Sequence, residues 1–172
     1  RTDKEGFEEI VEKFSIKNSE IKDLMKKKSK KYLEILPSSI KAYPKVLASI
    51  KDLNKNFQLA LTSSSSRDEV EMVTSTFKIK DFFKVLITAD DIKNGKPHPE
   101  PYLVTAERLG EKPENCLVIE DTKSGVLSAK AAGMKCIAIT TTHTKHDLDK
   151  ADFIIENFSE LTDQLIKKIN NT

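Results

Sequence analysis

Three short polar segments carry side chains that could bind a phosphate group and a metal ion. The first is residues 62–67, in which four consecutive serines follow an apolar run. Hydroxyls and unpaired backbone N–H groups at a strand end and a helix N-terminus favour a bound anion. A polar loop with an ordinary helix cap explains the same residues equally well, so this segment alone leaves both interpretations open.

The second segment is the loop of residues 94–99, which contains Gly95-Lys96-Pro97. A lysine in such a loop can hold a phosphoryl oxygen and a carboxylate nucleophile together as a point charge. The alternative is a surface lysine in a proline-rich turn. We interpret His98 as a loop residue and not as a base.

The third segment begins with Glu120-Asp121, directly after the apolar run 116–119, and contains Gly125. Two adjacent carboxylates at the end of a buried strand are costly unless positive charge meets them. Carboxylate oxygens suit Mg²⁺, which takes one or two protein carboxylates together with phosphate oxygens and waters. Asp121 could also be a simple helix cap, but the second acid makes that explanation weaker and favours a metal site.

The elements that must position these segments alternate between apolar strands and helices of about ten residues, which is typical of βαβ units with a mainly parallel sheet. Strands are predicted at residues 58–62, 84–88, 116–119, 135–139 and 153–155, and helices at 45–55, 102–109, 125–132 and 161–169. A further helix is predicted to start at Ser66, which has the capping-box spacing to Glu69. In open parallel sheets, ligands bind at the carboxyl ends of the strands. All three polar segments are therefore expected at one edge.

Residues 1–36 differ from the rest because they have helical periodicity and contain no strand-like run. Apolar residues recur at helical spacing in three groups, the last of which ends before Pro37. We therefore predict a helical unit over residues 1–36 and an α/β unit over residues 37–172.

The composition excludes several classes of protein. The 172 residues include 29 basic and 27 acidic side chains, for a net charge of +2, so no charge bias indicates nucleic acid or an anionic membrane as a partner. No apolar run approaches the roughly 20 residues of a membrane span, and no secretory signal is visible. Cys116 and Cys136 lie in apolar runs that are predicted to be neighbouring strands, and we expect a buried, reduced pair. A cytoplasmic monomer is the expectation.

The order of the three segments is more specific than any one of them. A hydroxyl after one strand, then Gly95-Lys96-Pro97, then Glu120-Asp121 followed by Gly125, resembles the second, third and fourth motifs of haloacid dehalogenase-like phosphohydrolases. The likeness is strongest to the β-phosphoglucomutase-like branch, in which a helical cap precedes a sequence similar to Tyr43-Pro44-Lys45-Val46. The resemblance implies a Rossmann-like core, with residues 1–36 as part of the cap.

The resemblance also implies roles for individual residues. Ser63 would bind phosphate through its hydroxyl and Ser64 through its backbone N–H, with Thr62 as the alternative hydroxyl if the register differs by one. Lys96 would be the cationic clamp. Asp121 would bind Mg²⁺ directly, and Glu120 would be a ligand or a partner of the ligands.

Three further expectations come from the same resemblance. The Lys96–Pro97 peptide bond is expected to be cis, as in similar family members. Lys28 matches a cap position that can reach the substrate, and Arg1 lies near a second such position.

One feature of the family is absent from this sequence. Family members begin with an apolar strand followed by Asp-x-Asp, whose first Asp attacks phosphorus and whose second is the general acid and base. No apolar strand followed by Asp-x-Asp occurs here, and Asp90-Asp91 lies in the wrong place, between the serines and Lys96. We therefore expect that the sequence is incomplete at its start. The absence of the central strand should leave two strand edges of the sheet unpaired. Without the attacking Asp, we expect no useful turnover by this chain alone.

Four functions remain open on this evidence. The leading one is a Mg²⁺-dependent phosphatase of small phosphorylated metabolites, of the sugar-phosphate type, acting through an aspartyl-phosphate. A sugar-phosphate mutase uses the same chemistry, and a non-catalytic member would keep phosphate and metal binding without turnover. A haloacid dehalogenase shares the fold but needs no metal, and the Glu120-Asp121 pair speaks against it.

Overall fold

The computed structural model of the chain describes residues 18–170. The α-helices are α1 (Asn18–Ser39), α2 (Val46–Leu53), α3 (Arg67–Thr76), α4 (Glu100–Leu109), α5 (Lys123–Ala131) and α6 (Asp163–Asn170). The strands are β1 (Leu59–Thr62), β2 (Phe83–Ile87), β3 (Leu117–Glu120), β4 (Lys135–Ile139) and β5 (Phe153–Ile155). The predicted alternation is confirmed, and the fold is a Rossmann-like α/β fold built from parallel strands with flanking helices.

Helix α1 extends beyond the predicted change of pattern at Pro37. The helix ends at Ser39, with Pro37 in its last turn. Proline has no backbone N–H to donate and usually disrupts a helix interior, but here the chain leaves the helix only two residues later. The hydroxyls of Ser38 and Ser39 both donate to the carbonyl of Ile35, at 2.9 and 3.0 Å. The division into a cap and a core at this point stays a prediction, and the periodic residues before Asn18 lie outside the described range.

The five strands form two separate parallel sheets. Strand β1 pairs with β2, and Thr62 lies opposite Ile87. In the second sheet β4 lies between β3 and β5, with Val118 opposite Cys136 and Ala138 opposite Ile154. Helix α4 packs against β1 and β2, and α5 packs against β3 and β4. Because the strands within each sheet are parallel, their carboxyl ends lie at one edge of that sheet.

A gap separates the two sheets between β1 and β3. Among the described strands, β1 and β3 each pair along one edge only. Two cavities, of about 490 and 560 Å³, are each lined by residues of both strands. Ile119 of β3 is apolar but 37% exposed, and no residue of β1 is fully buried. Within residues 18–170, β1 and β3 therefore each have one unpaired edge, as the sequence predicted.

The core lies on both faces of β4. One cluster joins α4 and α5 to β3 and β4, and its members include Tyr102, Val118, Val126 and Cys136. The cluster on the opposite face joins α2 and α6 to the same sheet, mainly through isoleucines such as Ile137 and Ile166. A sheet covered by helices on both faces is the arrangement expected for parallel strands with nearly continuous apolar sequences.

Both cysteines are free thiols: Cys136 lies in β4, and Cys116 lies next to the neighbouring strand β3. Cys136 is fully buried, and burial raises the pKa of its thiol to about 12. Cys116 is only half-buried, because it lies one residue before β3 begins, so the prediction of a buried pair is wrong for this residue. Within residues 18–170, no helix is both long and apolar enough to cross a membrane.

Candidate functional site

The carboxyl end of β1 presents a serine hydroxyl to the larger cavity. The Ser63 backbone N–H donates to the carbonyl of Ile87 at 2.9 Å, and its hydroxyl oxygen accepts a bond from the Ser65 backbone N–H at 3.1 Å. Within the described residues no acceptor takes the Ser63 hydroxyl proton, so this hydroxyl can donate to a ligand. Ser64 follows it along the cavity lining, and no hydrogen bond within the described part of the chain uses its backbone N–H.

Thr62, the alternative hydroxyl, is committed to the protein interior. Its Oγ1 lies 2.7 Å from Oγ1 of Thr105, whose own proton is donated to the carbonyl of Pro101 at 2.6 Å. A hydroxyl has one proton to donate, so Thr62 must be the donor to Thr105. The register with Ser63 as the phosphate-binding hydroxyl is therefore the one that this geometry supports.

Helix α3 starts directly behind the serines. Ser66 is its N-cap residue in a capping box, and the Ser66 backbone N–H donates to Glu69 Oε2 at 3.0 Å. The predicted helix start at Ser66 is confirmed. The helix N-terminus adds partial positive charge near the cavity, which favours an anion there.

Lys96 reaches across the gap between the two sheets. The Lys96–Pro97 peptide bond is cis, as expected. The Lys96 side chain is 10% exposed, and its Nζ lies 3.5 Å from the carbonyl oxygen of Thr62 at the end of β1. The same amino group forms an ion pair with Oε1 of Glu120, the last residue of β3. Lys96 therefore joins the carboxyl ends of the two unpaired strands.

Glu120 is held by donors from several elements. Tyr102 donates its hydroxyl to Oε1 at 2.7 Å, next to the ion pair with Lys96. The other oxygen, Oε2, accepts bonds from the Asp121 N–H, the Thr122 N–H and the Thr122 hydroxyl, at 3.0, 3.1 and 3.0 Å. Burial raises the pKa of Glu120, but the Lys96 charge and these hydrogen bonds outweigh it and hold that pKa below its usual value.

Gly125 has a steric reason to be glycine. A Cβ added there would lie 2.0 Å from Cδ of Glu120 and 2.1 and 2.2 Å from its two oxygens. The Thr122 hydroxyl accepts a bond from the Gly125 backbone N–H at 3.0 Å and thereby caps α5. The first turn of α5 therefore packs directly against the Glu120 carboxylate.

Asp121 is the carboxylate that remains available to a cation. Within residues 18–170, its side chain accepts one hydrogen bond, from the Thr141 hydroxyl to Oδ2 at 3.3 Å, while Thr142 donates to its backbone carbonyl at 2.7 Å. No group of three or more His, Cys, Asp or Glu side chains in residues 18–170 could hold a metal ion by itself. A single hard carboxylate beside a phosphate pocket still fits Mg²⁺, which usually retains waters and binds phosphate oxygens.

The structure brings most of the predicted site residues to one cavity. The cavity of about 560 Å³ is lined by Ser63, Ser64, Lys96, Glu120 and Asp121. Lys28 is exposed on α1 and is not among the described residues that line it, and Arg1 lies outside the described range.

Three residues that fix the two acids, Tyr102, Thr122 and Thr141, were not predicted as site residues. Thr122 had a detectable signal, because it stands three residues before Gly125 at a helix start. The position of Tyr102 in α4 is typical of an aromatic core residue, so the sequence did not indicate that its hydroxyl contacts the site.

Asp90 and Asp91 form a separate cluster near the start of α3. Asp90 accepts a bond from the Arg67 backbone N–H at 2.8 Å. Asp91 pairs with the guanidinium groups of Arg67 and Arg108, at 2.6 and 3.0 Å, and accepts bonds from the backbone N–H and hydroxyl of Thr88. These carboxylates tie α3 and α4 to the turn after β2, in agreement with their exclusion as a nucleophile.

The family profile described as haloacid dehalogenase-like hydrolase matches residues 4–139 of this chain. Among curated proteins, the validoxylamine A 7'-phosphate phosphatase of Streptomyces hygroscopicus subsp. limoneus is 38% identical over 103 residues, which are 60% of this chain and 48% of that protein. A phosphorylated carbohydrates phosphatase of Thermotoga maritima is 33% identical over 136 residues, 78% of this chain and 62% of that protein. The chain thus spans about half of the length of such relatives.

Solved structures of haloacid dehalogenase-like proteins are similar to this chain over nearly its whole length. A β-phosphoglucomutase from Clostridium difficile superposes with a TM-score of 0.86 at 26% identity, covering 99% of this chain and 77% of that one. A hydrolase of family IA, variant 3, from Entamoeba histolytica has a TM-score of 0.86 at 28% identity, covering 100% and 80%.

Proposed function

Since the chain belongs to the haloacid dehalogenase-like hydrolase family, we propose that it carries the phosphate- and Mg²⁺-binding part of a phosphatase that acts on small phosphorylated metabolites of the sugar-phosphate type. The observation that carries this proposal is the meeting of three different groups at one cavity: the Ser63 hydroxyl, the Lys96 ammonium and the Asp121 carboxylate. Two relatives, a validoxylamine A 7'-phosphate phosphatase and a phosphorylated carbohydrates phosphatase, support the substrate class.

Each of these residues has a distinct task in the proposal. Ser63 donates its hydroxyl to one phosphate oxygen and Ser64 its backbone N–H to another. Lys96 places its positive charge against the phosphoryl group, where negative charge must be offset during transfer. Asp121 would hold Mg²⁺, which when bound supplies a further positive charge to the phosphate oxygens. Thr141 orients Asp121 through the bond to Oδ2.

We propose that Glu120 orients the other residues and does not attack phosphorus. Its two oxygens already accept bonds from Lys96, Tyr102, Asp121 and Thr122. Among the described residues that line the cavity, Glu120 and Asp121 are the acids. Neither is then left as a nucleophile, and we expect phosphate binding without useful turnover by this 172-residue chain.

The one Asp-x-Asp spacing in the sequence, at Asp147 and Asp149, does not supply that nucleophile. It follows a loop and not an apolar strand, and Asp147 accepts bonds from the backbone N–H and hydroxyl of Thr144 at 3.2 and 2.6 Å. Leu148 between the two acids is fully buried. The segment is therefore a turn anchored in the core.

The test is a panel of sugar phosphates, matched free sugars and inorganic phosphate, titrated into the chain with and without Mg²⁺. We expect saturable binding of the phosphorylated compounds, stronger with Mg²⁺, and no binding of the free sugars. Asp121→Asn should remove most of the Mg²⁺ effect while leaving the fold intact. Binding that ignores the phosphate group, or an unchanged Mg²⁺ effect in Asp121→Asn, would contradict the proposal.

A sugar-phosphate mutase is the second candidate, and the likeness to the Clostridium difficile β-phosphoglucomutase favours it. Both reactions need the same phosphate and metal groups, so the cavity supports them equally. Because this chain is expected to bind phosphate without useful turnover, the two are distinguished with a form of the protein that also contains the attacking carboxylate. Phosphate release and sugar-phosphate isomerisation are then measured on the same panel.

A further inference from the structure

Lys96 depends on a shared partner for its position. Its ammonium is almost withdrawn from water and is paired with Oε1 of Glu120, the same oxygen that accepts the Tyr102 hydroxyl. A buried lysine that is tightly paired with a carboxylate is less available to a phosphate group, because the two anions compete for one cation. Whatever reduces the negative charge on Oε1 therefore frees Lys96 for its ligand.

Tyr102 contacts both members of this ion pair. Its ring is 5% exposed and packs among core residues of β3, β4 and α5, including Val118 and Val126. Its hydroxyl lies 2.7 Å from Glu120 Oε1, and the Lys96 Nζ lies 4.9 Å from the centre of its ring. The ring face therefore lies within range of a favourable cation–π contact, while the hydroxyl offsets part of the charge on the carboxylate.

We propose that Tyr102 is a positioning residue that shares Glu120 with Lys96 and so keeps the Lys96 ammonium available to the phosphate group at Ser63. This inference rests on the proposed phosphate site. It assigns to Tyr102 a role that acts through Lys96 and involves no contact with phosphate. Burial and the neighbouring Glu120 charge raise the pKa of the Tyr102 hydroxyl, so it remains a donor.

The matching substitution is Tyr102→Phe, which keeps the buried ring and removes only the hydroxyl. Glu120 Oε1 then has Lys96 as its single side-chain donor and holds it more tightly. A hydrogen bond to a charged group is typically worth enough to change an equilibrium about tenfold, so we expect inorganic phosphate to bind roughly five- to tenfold more weakly. Tyr32→Phe is the matched control, because Tyr32 is exposed on α1 and is not among the described residues that line the cavity.

The experiment is a titration with inorganic phosphate at constant Mg²⁺, followed by ¹H–¹⁵N NMR, which also measures weak dissociation constants. It compares Tyr102→Phe with the unsubstituted chain, and then the same change in a Lys96→Gln background. A residue that acts through Lys96 loses its effect in that background, whereas a general effect on folding persists. The expected result is weaker binding in the first comparison and less than a twofold difference in the second.

Two results would overturn the inference: unchanged phosphate affinity in Tyr102→Phe, or an equal loss in the Lys96→Gln background. The failure of the proposed function looks different, because the unsubstituted chain would then bind no phosphate or would bind it independently of Lys96. Tyr32→Phe must keep the original affinity, and thermal unfolding of every variant separates a lost contact from a lost fold.

Discussion

Two carboxylates that are largely withdrawn from solvent and paired with cations have different tasks in this molecule. The Glu120 cluster (Lys96, Tyr102, Glu120 and Thr122) lies at the end of β3, and the Asp91 cluster (Arg67, Thr88, Asp91 and Arg108) lies after β2. The acids are similarly withdrawn, with side chains 6% and 12% exposed. Their cations differ, because Lys96 is 10% exposed, whereas Arg67 and Arg108 are 38% and 46% exposed.

This difference in the exposure of the cations indicates that the Asp91 cluster links structural elements, whereas the Glu120 cluster belongs to a binding site. Because the two arginines are exposed to solvent, their charges are screened and their ion pairs with Asp91 contribute little free energy. Lys96 lacks that hydration and faces the cavity between the sheets, so its charge is available to an anion placed there. A carboxylate–cation pair therefore holds helices together in the Asp91 cluster and positions a cation for phosphate in the Glu120 cluster.

Removing the acid of each cluster tests this contrast, and the largest effect is expected at Glu120. Glu120→Ala leaves a buried ammonium, the Tyr102 hydroxyl and backbone donors of residues 121 and 122 without their acceptor. Breaking a buried pair in this way typically costs about 3–5 kcal/mol. Urea unfolding measures the loss. Glu107→Ala, an exposed change on α4, should cost less than about 0.5 kcal/mol. Equal stabilities for the two variants would contradict the claim that Glu120 stabilises the fold by pairing with these buried donors.

A methyl group at Gly125 tests the packing of the same cluster without removing any of its members. The new Cβ would lie 2.0 Å from Glu120 Cδ, so α5 or the carboxylate must move. Forcing extra volume into a packed site typically costs about 1–3 kcal/mol. Gly125→Ala should therefore lower the urea midpoint and weaken phosphate binding together. A variant as stable as the original chain would show that this close approach does not exist in solution.

The Asp91 cluster should contribute less, and in a pH-dependent way. Burial raises the pKa of Asp91, but bonds from Thr88 and Arg108 and the Arg67 charge outweigh it and lower that pKa from 3.8 to about 2. A lowered folded-state pKa gives stability that is present above pH 3.8 and is lost as the pH falls through about 2. After allowance for the exposed arginines, the contribution is about 1–2 kcal/mol.

Asp91→Asn, compared with the original chain by denaturant unfolding between neutral pH and pH 2, measures that contribution. The difference in unfolding free energy should be largest near neutral pH and should shrink toward pH 2. A difference that stays constant with pH would mean that the charge of Asp91 is not the stabilising feature.

The elements and the main site residues could be predicted from the sequence because their signals are local. Strands β4 and β5 lie at the predicted residues, and the capping spacing of Ser66 and Glu69 predicted the start of α3. The order of Ser63, Lys96 and Asp121 along the chain indicated one cavity, since parallel strands bring their carboxyl ends together.

The contacts that make the site specific could not be predicted in this way. The Tyr102 hydroxyl meets a carboxylate 18 positions away, and the Thr141 hydroxyl meets one 20 positions away. Their positions depend on how α4 and β4 pack, which no local pattern encodes. The extension of α1 past Pro37 has a different, local basis, since the hydroxyls of Ser38 and Ser39 donate to the carbonyl of Ile35 in the last turn of the helix.

The most direct test of the account is a calorimetric titration of inorganic phosphate, at constant Mg²⁺, into the original chain, Lys96→Gln and Asp91→Asn. Both substitutions neutralise one member of a carboxylate–cation cluster, but one cluster alone faces the cavity. We predict saturable binding to the original chain, the same affinity for Asp91→Asn, and a loss of at least about tenfold for Lys96→Gln, since a charge-assisted contact with phosphate is removed. Absence of saturable binding to the original chain, or an equal loss in both variants, would contradict the account.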